Sequence, residues 1–173
     1  GAKYDFSVFL RNGDDKKKDV RIVLVGDQNV VLGEATITAE GKAWKKYTAE
    51  LTASADYDRA NLQILCLETG VLDVDMVSLM PQDTYKGHGI RRDMAEALEA
   101  LNPKFMRFPG GCVIHGGGDG FWNTYRWKTT IGPKEQRRGL KNTWGYHQSL
   151  GLGYYEYFQL CEDMGMEPVP ILP

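Results

Sequence analysis

The sequence predicts an α+β chain whose strands and helices are segregated along its length: an antiparallel β-sandwich, then a parallel α/β segment. Three observations carry that expectation. Up to residue 80, apolar residues recur with period two in short runs separated by turn residues, the spacing of a sandwich. At Pro81 the period lengthens to that of helices, and helix, strand, helix, strand follow, the order of parallel architecture. Between the first of those strands and the second helix lies a glycine- and tryptophan-rich stretch of about 40 residues, far longer than compact domains keep without a function.

The elements follow in order. Tyr4, Phe6, Val8 and Leu10 alternate with Asp5, Ser7 and Phe9. Val20 to Val25 is the second strand, closed by the turn signal Gly26-Asp-Gln-Asn29. Val30 to Thr38, Trp44 to Leu51, Ala60 to Leu67 and Val71 to Leu79 complete the series. Val74 to Leu79 alternates weakly and is expected in the sheet interior. Ile90 to Leu101 reads as a helix, with Ile90, Met94, Ala97, Leu98 and Leu101 at helical spacing, and Asn102-Pro103 stops it. Lys104 to Phe108 is a short buried strand. Gly153 to Met164 reads as a helix with Tyr154, Tyr157, Phe158 and Cys161 as its stripe, and Gly165 is placed to end it. Glu167 to Leu172 is the next strand. Two strands and two helices cannot close a parallel sheet or cover both its faces. Residue 4 already lies inside a strand pattern. Both ends are therefore expected to fall inside a larger fold, with domains at 1–81 and 82–173.

Composition narrows the function classes. The chain has 173 residues, 42% hydrophobic and 25% charged, ordinary values for a globular protein. A formal net charge of -2 gives no reason to expect nucleic acid or an anionic membrane as partner. No apolar run approaches the ~20 residues needed to span a bilayer, and Gly1-Ala-Lys-Tyr-Asp5 is not a charged-then-apolar leader. Three cysteines do not make a disulfide scaffold. Cys66 and Cys161 are expected as reduced core residues, whereas Cys112 lies on the glycine-rich stretch.

That stretch carries the chemistry. Eleven of the 20 glycines and three of the four tryptophans fall between Gly110 and Gly153. Glycine lets a backbone approach a ligand, and flat rings take the apolar face of a sugar. Ligands of parallel α/β folds bind at the carboxyl ends of strands, which is where Gly110-Gly-Cys112 stands. A phosphate site is the first alternative, but Gly116-Gly-Gly-Asp-Gly120 lacks the Lys-Ser or Lys-Thr pair of a P-loop. A metal is the second: Cys112, His115 and His147 are three possible ligands, without the paired spacing of structural zinc. His115 reads rather as a hydrogen-bonded loop residue and His147, beside Trp144 and Tyr146, as a packing residue. Sugar cleavage needs two carboxyl groups. The only acids between Lys104 and Gly153 are Asp119, which suits a turn, and Glu135, which is expected to be solvated. The loop is therefore expected to be a substrate-binding wall rather than catalytic machinery. Trp122, Trp127 and Trp144 either pack the loop down or face a ligand, and Trp127, just before the Ile131-Gly-Pro133 corner, is the preferred contact. Arg126, Lys128, Lys134, Arg137, Arg138 and Lys141 are expected to form an exposed charged face, with a charged-polymer surface as the alternative.

At these residues the sequence resembles the α-L-arabinofuranosidases of glycoside hydrolase family 51. Arg107-Phe-Pro-Gly-Gly-Cys-Val-Ile-His-Gly116, Asn123-Thr-Tyr-Arg-Trp-Lys128 and Ile131-Gly-Pro-Lys-Glu-Gln-Arg137 are similar to that family's second barrel strand and the loop after it. Trp144-Gly-Tyr-His147 and Leu150 to Gln159 resemble the entry to the following helix. Upstream, Phe6 to Arg11, Trp44 to Tyr47 and Met76 to Pro81 resemble the carbohydrate-binding-module-like β-sandwich that some members insert before that strand. The resemblance implies partial (β/α)₈ TIM-barrel elements after the sandwich. It also implies a retaining enzyme that removes terminal arabinofuranose from arabinose-containing polysaccharides or oligosaccharides. The family's two catalytic glutamates stand on later strands, so none is expected here, and the chain alone is expected to be inactive. Gly110, Gly111, Cys112 and Trp127 match positions near the bound sugar. No cofactor or metal is implied. The rest of the same enzyme, and a further copy in a homo-oligomer, are implied partners, and secretion or a periplasmic location is favoured over the cytoplasm. Many members carry an acid where His115 stands.

Two readings compete. One makes the sandwich a non-catalytic carbohydrate-binding module that uses Trp44, Tyr47 and Tyr57, although Trp44 at a strand start is expected in the core. The other is an assembly domain without sugar contact, which the glycine-aromatic loop argues against.

Overall fold

The computed structural model describes residues 1–116 and 124–173. They form two compact units, Gly1–Arg92 and Asp93–Pro173.

Six strands make up the body of the first unit: β1 (Lys3–Asn12), β2 (Lys18–Val25), β3 (Val31–Ala39), β4 (Lys45–Thr52), β5 (Asn61–Cys66) and β6 (Leu72–Pro81). They assemble into two antiparallel sheets of three strands, ordered β4-β1-β6 and β3-β2-β5. The two central strands supply the core, because each is flanked on both sides and its alternate residues face one way. Phe6, Val8 and Leu10 of β1 meet Val20, Ile22 and Leu24 of β2, with Leu32, Ala39 and Leu51 alongside. Each of these side chains other than that of Ala39 contributes roughly 1.5–3 kcal/mol by leaving water. Lys18, also fully buried, keeps its ammonium on Asp14.

Four expectations for this part of the chain are corrected. β6 is an edge strand, and Val74, Met76 and Val77 are exposed. Trp44 is exposed as well: it precedes β4 on the solvent side, where the Arg11 guanidinium lies 5.0 Å from its ring centre. Cys66 is exposed because it ends an edge strand, and its thiol donates to the Glu68 carbonyl at 3.3 Å. A short hairpin, β7 (Thr84–Tyr85) with β8 (Ile90–Arg91), takes Ile90 out of the helix expected there, so α1 spans Arg92–Ala100. Its apolar stripe is largely uncovered, with Met94 62% exposed.

The second unit is organised by a parallel pair, β9 (Phe105–Phe108) and β12 (Glu167–Pro170), in register from Phe105 opposite Glu167 to Phe108 opposite Pro170. Helix α3 (Tyr154–Met164) precedes β12 and packs on β9 through the buried Phe108. The Phe108 ring lies 5.4 Å from Tyr154, 4.8 Å from Tyr157 and 5.2 Å from Phe158. Gly165 ends α3 in the left-handed conformation, and the Met166 amide returns to the Cys161 carbonyl at 2.8 Å, satisfying an otherwise free acceptor. The expectation of a buried first strand holds only at Phe108, since Phe105 is 63% exposed. A two-stranded pair has too few neighbours to cover its faces.

The long stretch is not structureless. It contains α2 (Cys112–His115), 3-10 turns at Trp127–Thr130 and Lys134–Gln136, and a hairpin of β10 (Leu140–Lys141) with β11 (His147–Gln148).

Candidate functional site

The carboxyl end of β9 opens into a cleft of about 510 Å³. Gly110 follows with φ 141°, a conformation that glycine adopts without strain. Gly111 leads into α2, which is anchored by the buried Val113 and Ile114. Gly110 and Gly111 line one side of the cleft, and Trp144, Tyr146 and Gln148 of the β10–β11 hairpin line another. Among the described residues the lining contains no Asp, Glu, Lys or Arg.

Tyr125, 2% exposed, also lines the cleft. Burial is the main force pushing its phenol up to about 12. The Thr130 hydroxyl pulls the other way, but from a geometry short of a hydrogen bond. The Tyr125 hydroxyl and the Gln148 side-chain oxygen are thus buried without a hydrogen-bond partner among the described residues. Such groups cost stability unless a ligand or water meets them. Tyr125 stays protonated through the physiological range and can donate.

Two buried hubs hold the loop against α3. Thr130, fully buried, donates to the Trp127 carbonyl at 2.8 Å and accepts from the Tyr154 amide at 3.0 Å. Arg137 grips Glu156 through two parallel bonds of 2.9 and 2.7 Å. It also donates to the carbonyls of Gly132 and Leu150, at 2.8 and 2.9 Å. Glu156 in turn accepts from the Gly153 amide at 2.8 Å, at the start of α3. Burial alone would raise the Glu156 carboxyl, but the Arg137 guanidinium and the Gly153 amide outweigh it and hold it below its ordinary value. A carboxylate so engaged is a structural anchor, not a proton donor.

The residues singled out in the sequence fall as follows. Gly110 and Gly111 line the cleft. Cys112 begins α2 with an exposed side chain, and neither it nor Trp127 lines the cleft. Trp127 starts the 3-10 turn and packs 6.1 Å from Tyr154, whose ring touches Phe108, so aromatic contacts tie it to the strand end. Cys112, His115 and His147 are not brought together as a metal-ligand group. Asp119 and Trp122 lie outside the described residues. Arg137 is the correction to the charged face: it is buried, while Arg126, Lys128, Lys134, Arg138 and Lys141 are exposed. Sequence reasoning missed Glu156, Tyr125, Thr130 and Gln148. Glu156 had a signal, because an acid three residues after the residue before a helix is half of a capping box.

Comparison with known proteins places these features in context. Residues 97–172 match the family model described as alpha-L-arabinofuranosidase 1 domain. The whole chain is 41% identical to an extracellular exo-alpha-L-arabinofuranosidase of Streptomyces chartreusis, covering 22% of it. Over 98% of its length it is 36% identical to alpha-L-arabinofuranosidase 1 of Arabidopsis thaliana, covering 25% of that protein. The chain thus spans about a quarter of the length of these curated relatives. Among solved structures, an arabinose-bound GH51 α-L-arabinofuranosidase superposes with a TM-score of 0.89 at 28% identity, over 98% of this chain and 28% of the other.

Proposed function

The chain belongs with the α-L-arabinofuranosidases of glycoside hydrolase family 51, and from that premise we propose that its β9 cleft is one wall of a pocket for a terminal α-L-arabinofuranosyl residue. The whole enzyme is a retaining hydrolase that releases that sugar from arabinose-containing polysaccharides and oligosaccharides. This chain contributes pocket wall through Gly110 and Gly111, which line the cleft; Cys112 and Trp127, the other two positions matched to the bound sugar, stand outside that lining, and the catalytic carboxylates come from elsewhere in the enzyme. The observation that carries the reading is the glycine turn at the end of a parallel strand, opening into an aromatic-rimmed cleft whose described lining has no Asp, Glu, Lys or Arg. Retention needs two carboxyl groups about 5–5.5 Å apart. The cleft lining has none among the described residues, and Glu156 nearby is held by Arg137.

The remaining assignments follow from the same premise. Residues 82–173 are part of a (β/α)₈ barrel, with β9 and β12 as neighbouring barrel strands. Residues 1–81 are a carbohydrate-binding-module-like sandwich. A primary glycan-binding role for that sandwich is disfavoured, because one face of Trp44 lies under Arg11 and the Tyr57 ring packs over Gly26. Titration with xylan or arabinan checks this, and a silent result leaves the sandwich a spacer. No described helix is long and apolar enough to cross a membrane. The Streptomyces relative is named as extracellular, and secretion is the location proposed here.

The test is direct. The chain should bind methyl α-L-arabinofuranoside in a calorimetric titration and give no turnover of an aryl arabinofuranoside. Robust hydrolysis abolished by Asp119→Asn or Glu135→Gln would overturn the assignment.

A further inference from the structure

The sandwich is closed along one flank and open along the other. Its central strands β1 and β2 face each other through Phe6, Val8, Leu10, Val20, Ile22 and Leu24. On one flank β3 lies against the end of β4. There the Ser54 amide donates to the Leu32 carbonyl at 2.7 Å, and a Cβ on Gly33 would stand 2.5 Å from the Thr52 carbonyl oxygen. The strand orders β4-β1-β6 and β3-β2-β5 then put β5 and β6 together on the opposite flank, each the last strand of its own sheet.

Side chains on that flank are exposed although they belong to the interior. Residues directly opposite one another on neighbouring strands share a face of the sheet. Val74 stands opposite the buried Leu10, yet it is 45% exposed. Cys66 stands opposite the fully buried Val20, yet it is exposed too. Both therefore point toward the space between the sheets, and water reaches them from the side. Val77 is uncovered beside them. β6 is ten residues long and pairs with β1 along one edge only. The backbone groups of its other edge meet no strand among the described residues.

An extended segment meets both needs. Its backbone bonds to the free edge of β6, and its alternate side chains fill the gap beside Val74 and Cys66. A helix or a flat surface would cover the side chains and leave the edge groups unpaired. The chain spans about a quarter of the length of its curated relatives, so most of such an enzyme lies outside these residues. A strand from that remainder is tethered, at an effective concentration on the order of millimolar. A second copy competes only when the protein itself is that concentrated.

We propose that the β5–β6 flank accepts a β-strand with alternating apolar residues, contributed by the part of the same enzyme outside residues 1–173, and that this strand pairs with β6. The proposal rests on the reading of this chain as part of a longer arabinofuranosidase, and not on the sugar pocket, which the methyl α-L-arabinofuranoside titration tests separately.

The test compares the full-length enzyme with the 173-residue chain. Cys66 reports on the gap. Its alkylation by N-ethylmaleimide is timed by peptide mass spectrometry, with the buried Cys161 as the unreactive control. Cys66 should react roughly tenfold or more slowly in the full-length enzyme, because a covered thiol is reached only when the strand opens. The peptide 72–81 should gain protection from amide hydrogen exchange in the same comparison. In the full-length enzyme Val74→Lys/Val77→Lys should restore fast alkylation and exchange, whereas Leu65→Lys, opposite Arg21 on the outward face of β5, should not. Should the double variant fail to fold, the two unmutated proteins decide alone. Equal Cys66 rates in them would overturn the proposal. So would slow alkylation without exchange protection over 72–81, since something other than a strand then covers the flank. Protection that appears in the 173-residue chain as its concentration rises would assign the flank to a second copy and overturn it as well.

Discussion

Arg137 and Glu156 exchange two charge-assisted hydrogen bonds in a nearly dry site, with side chains 3% and 9% exposed. Removing one partner strands a buried charge, which costs on the order of 3–5 kcal/mol. Arg137→Ala should therefore lower the thermal midpoint sharply by calorimetry, and more than Arg138→Ala at the exposed neighbour. The pair also sets an acid limit. Glu156 is held below its ordinary value of 4.5 in the folded state, so the unfolded chain takes up its proton first as pH falls. The stability from this pair is complete above about pH 4.5 and is lost as pH drops through the lowered folded value. Glu156→Gln should flatten that part of the stability–pH curve, measured by urea unfolding between pH 6 and pH 3. Gly153 is the other sensitive residue. A Cβ there would lie 1.9 Å from the Thr130 carbonyl oxygen, far closer than carbon–oxygen van der Waals contact allows. Gly153→Ala should destabilise by about 1–3 kcal/mol or more, the range of overpacked sites, and the same unfolding assay reads it.

At the scale of elements, the hairpin and the two hubs explain how a stretch of mostly irregular backbone holds a shape. The hairpin has only two pairs of strand residues, Leu140 with Gln148 and Lys141 with His147, so its register depends on the turn between them. Asn142→Ala removes the acceptor shared by the Trp144 and Tyr146 amides. It should cost about 1 kcal/mol for each lost bond and speed amide hydrogen exchange at 144 and 146, without changing exchange in the sandwich. The strands of the sandwich were legible in advance because Phe6, Val8 and Leu10 alternate with polar neighbours on a central strand. The edge position of β6 was not. Val74, Met76 and Val77 are apolar, and local sequence does not say which strands lack a neighbour. The burial of Arg137 was hidden for a similar reason: it stands in a basic run, and its partner lies 19 residues on, across a fold.

For the whole molecule, apolar surface is the outstanding feature. Leu101 is 75% exposed, Phe105 63%, Leu172 58% and Phe158 43%. All four belong to the second unit, where the parallel pair has few neighbours. Both units expose apolar side chains, but these four lie where the parallel pair lacks neighbours and mark surfaces that something else covers; the rest of the same enzyme or a second copy is the proposed cover. Sedimentation velocity of the chain alone should show concentration-dependent association, weakened in Leu101→Lys/Phe105→Lys. A strictly monomeric boundary across the range would count against that reading.

Residue order alone established the alternation of the sandwich strands, the change of period at Pro81, the glycine turn after Phe108 and the family these motifs resemble. Each depends on neighbours within a few residues, where backbone geometry and side-chain periodicity act directly. Tertiary structure alone decided that Trp44 and Cys66 face water, that Arg137 is buried on Glu156, and that the hairpin carries its two aromatic rings to the cleft. At these positions burial depends on what packs from a distance along the chain, which their local pattern does not encode.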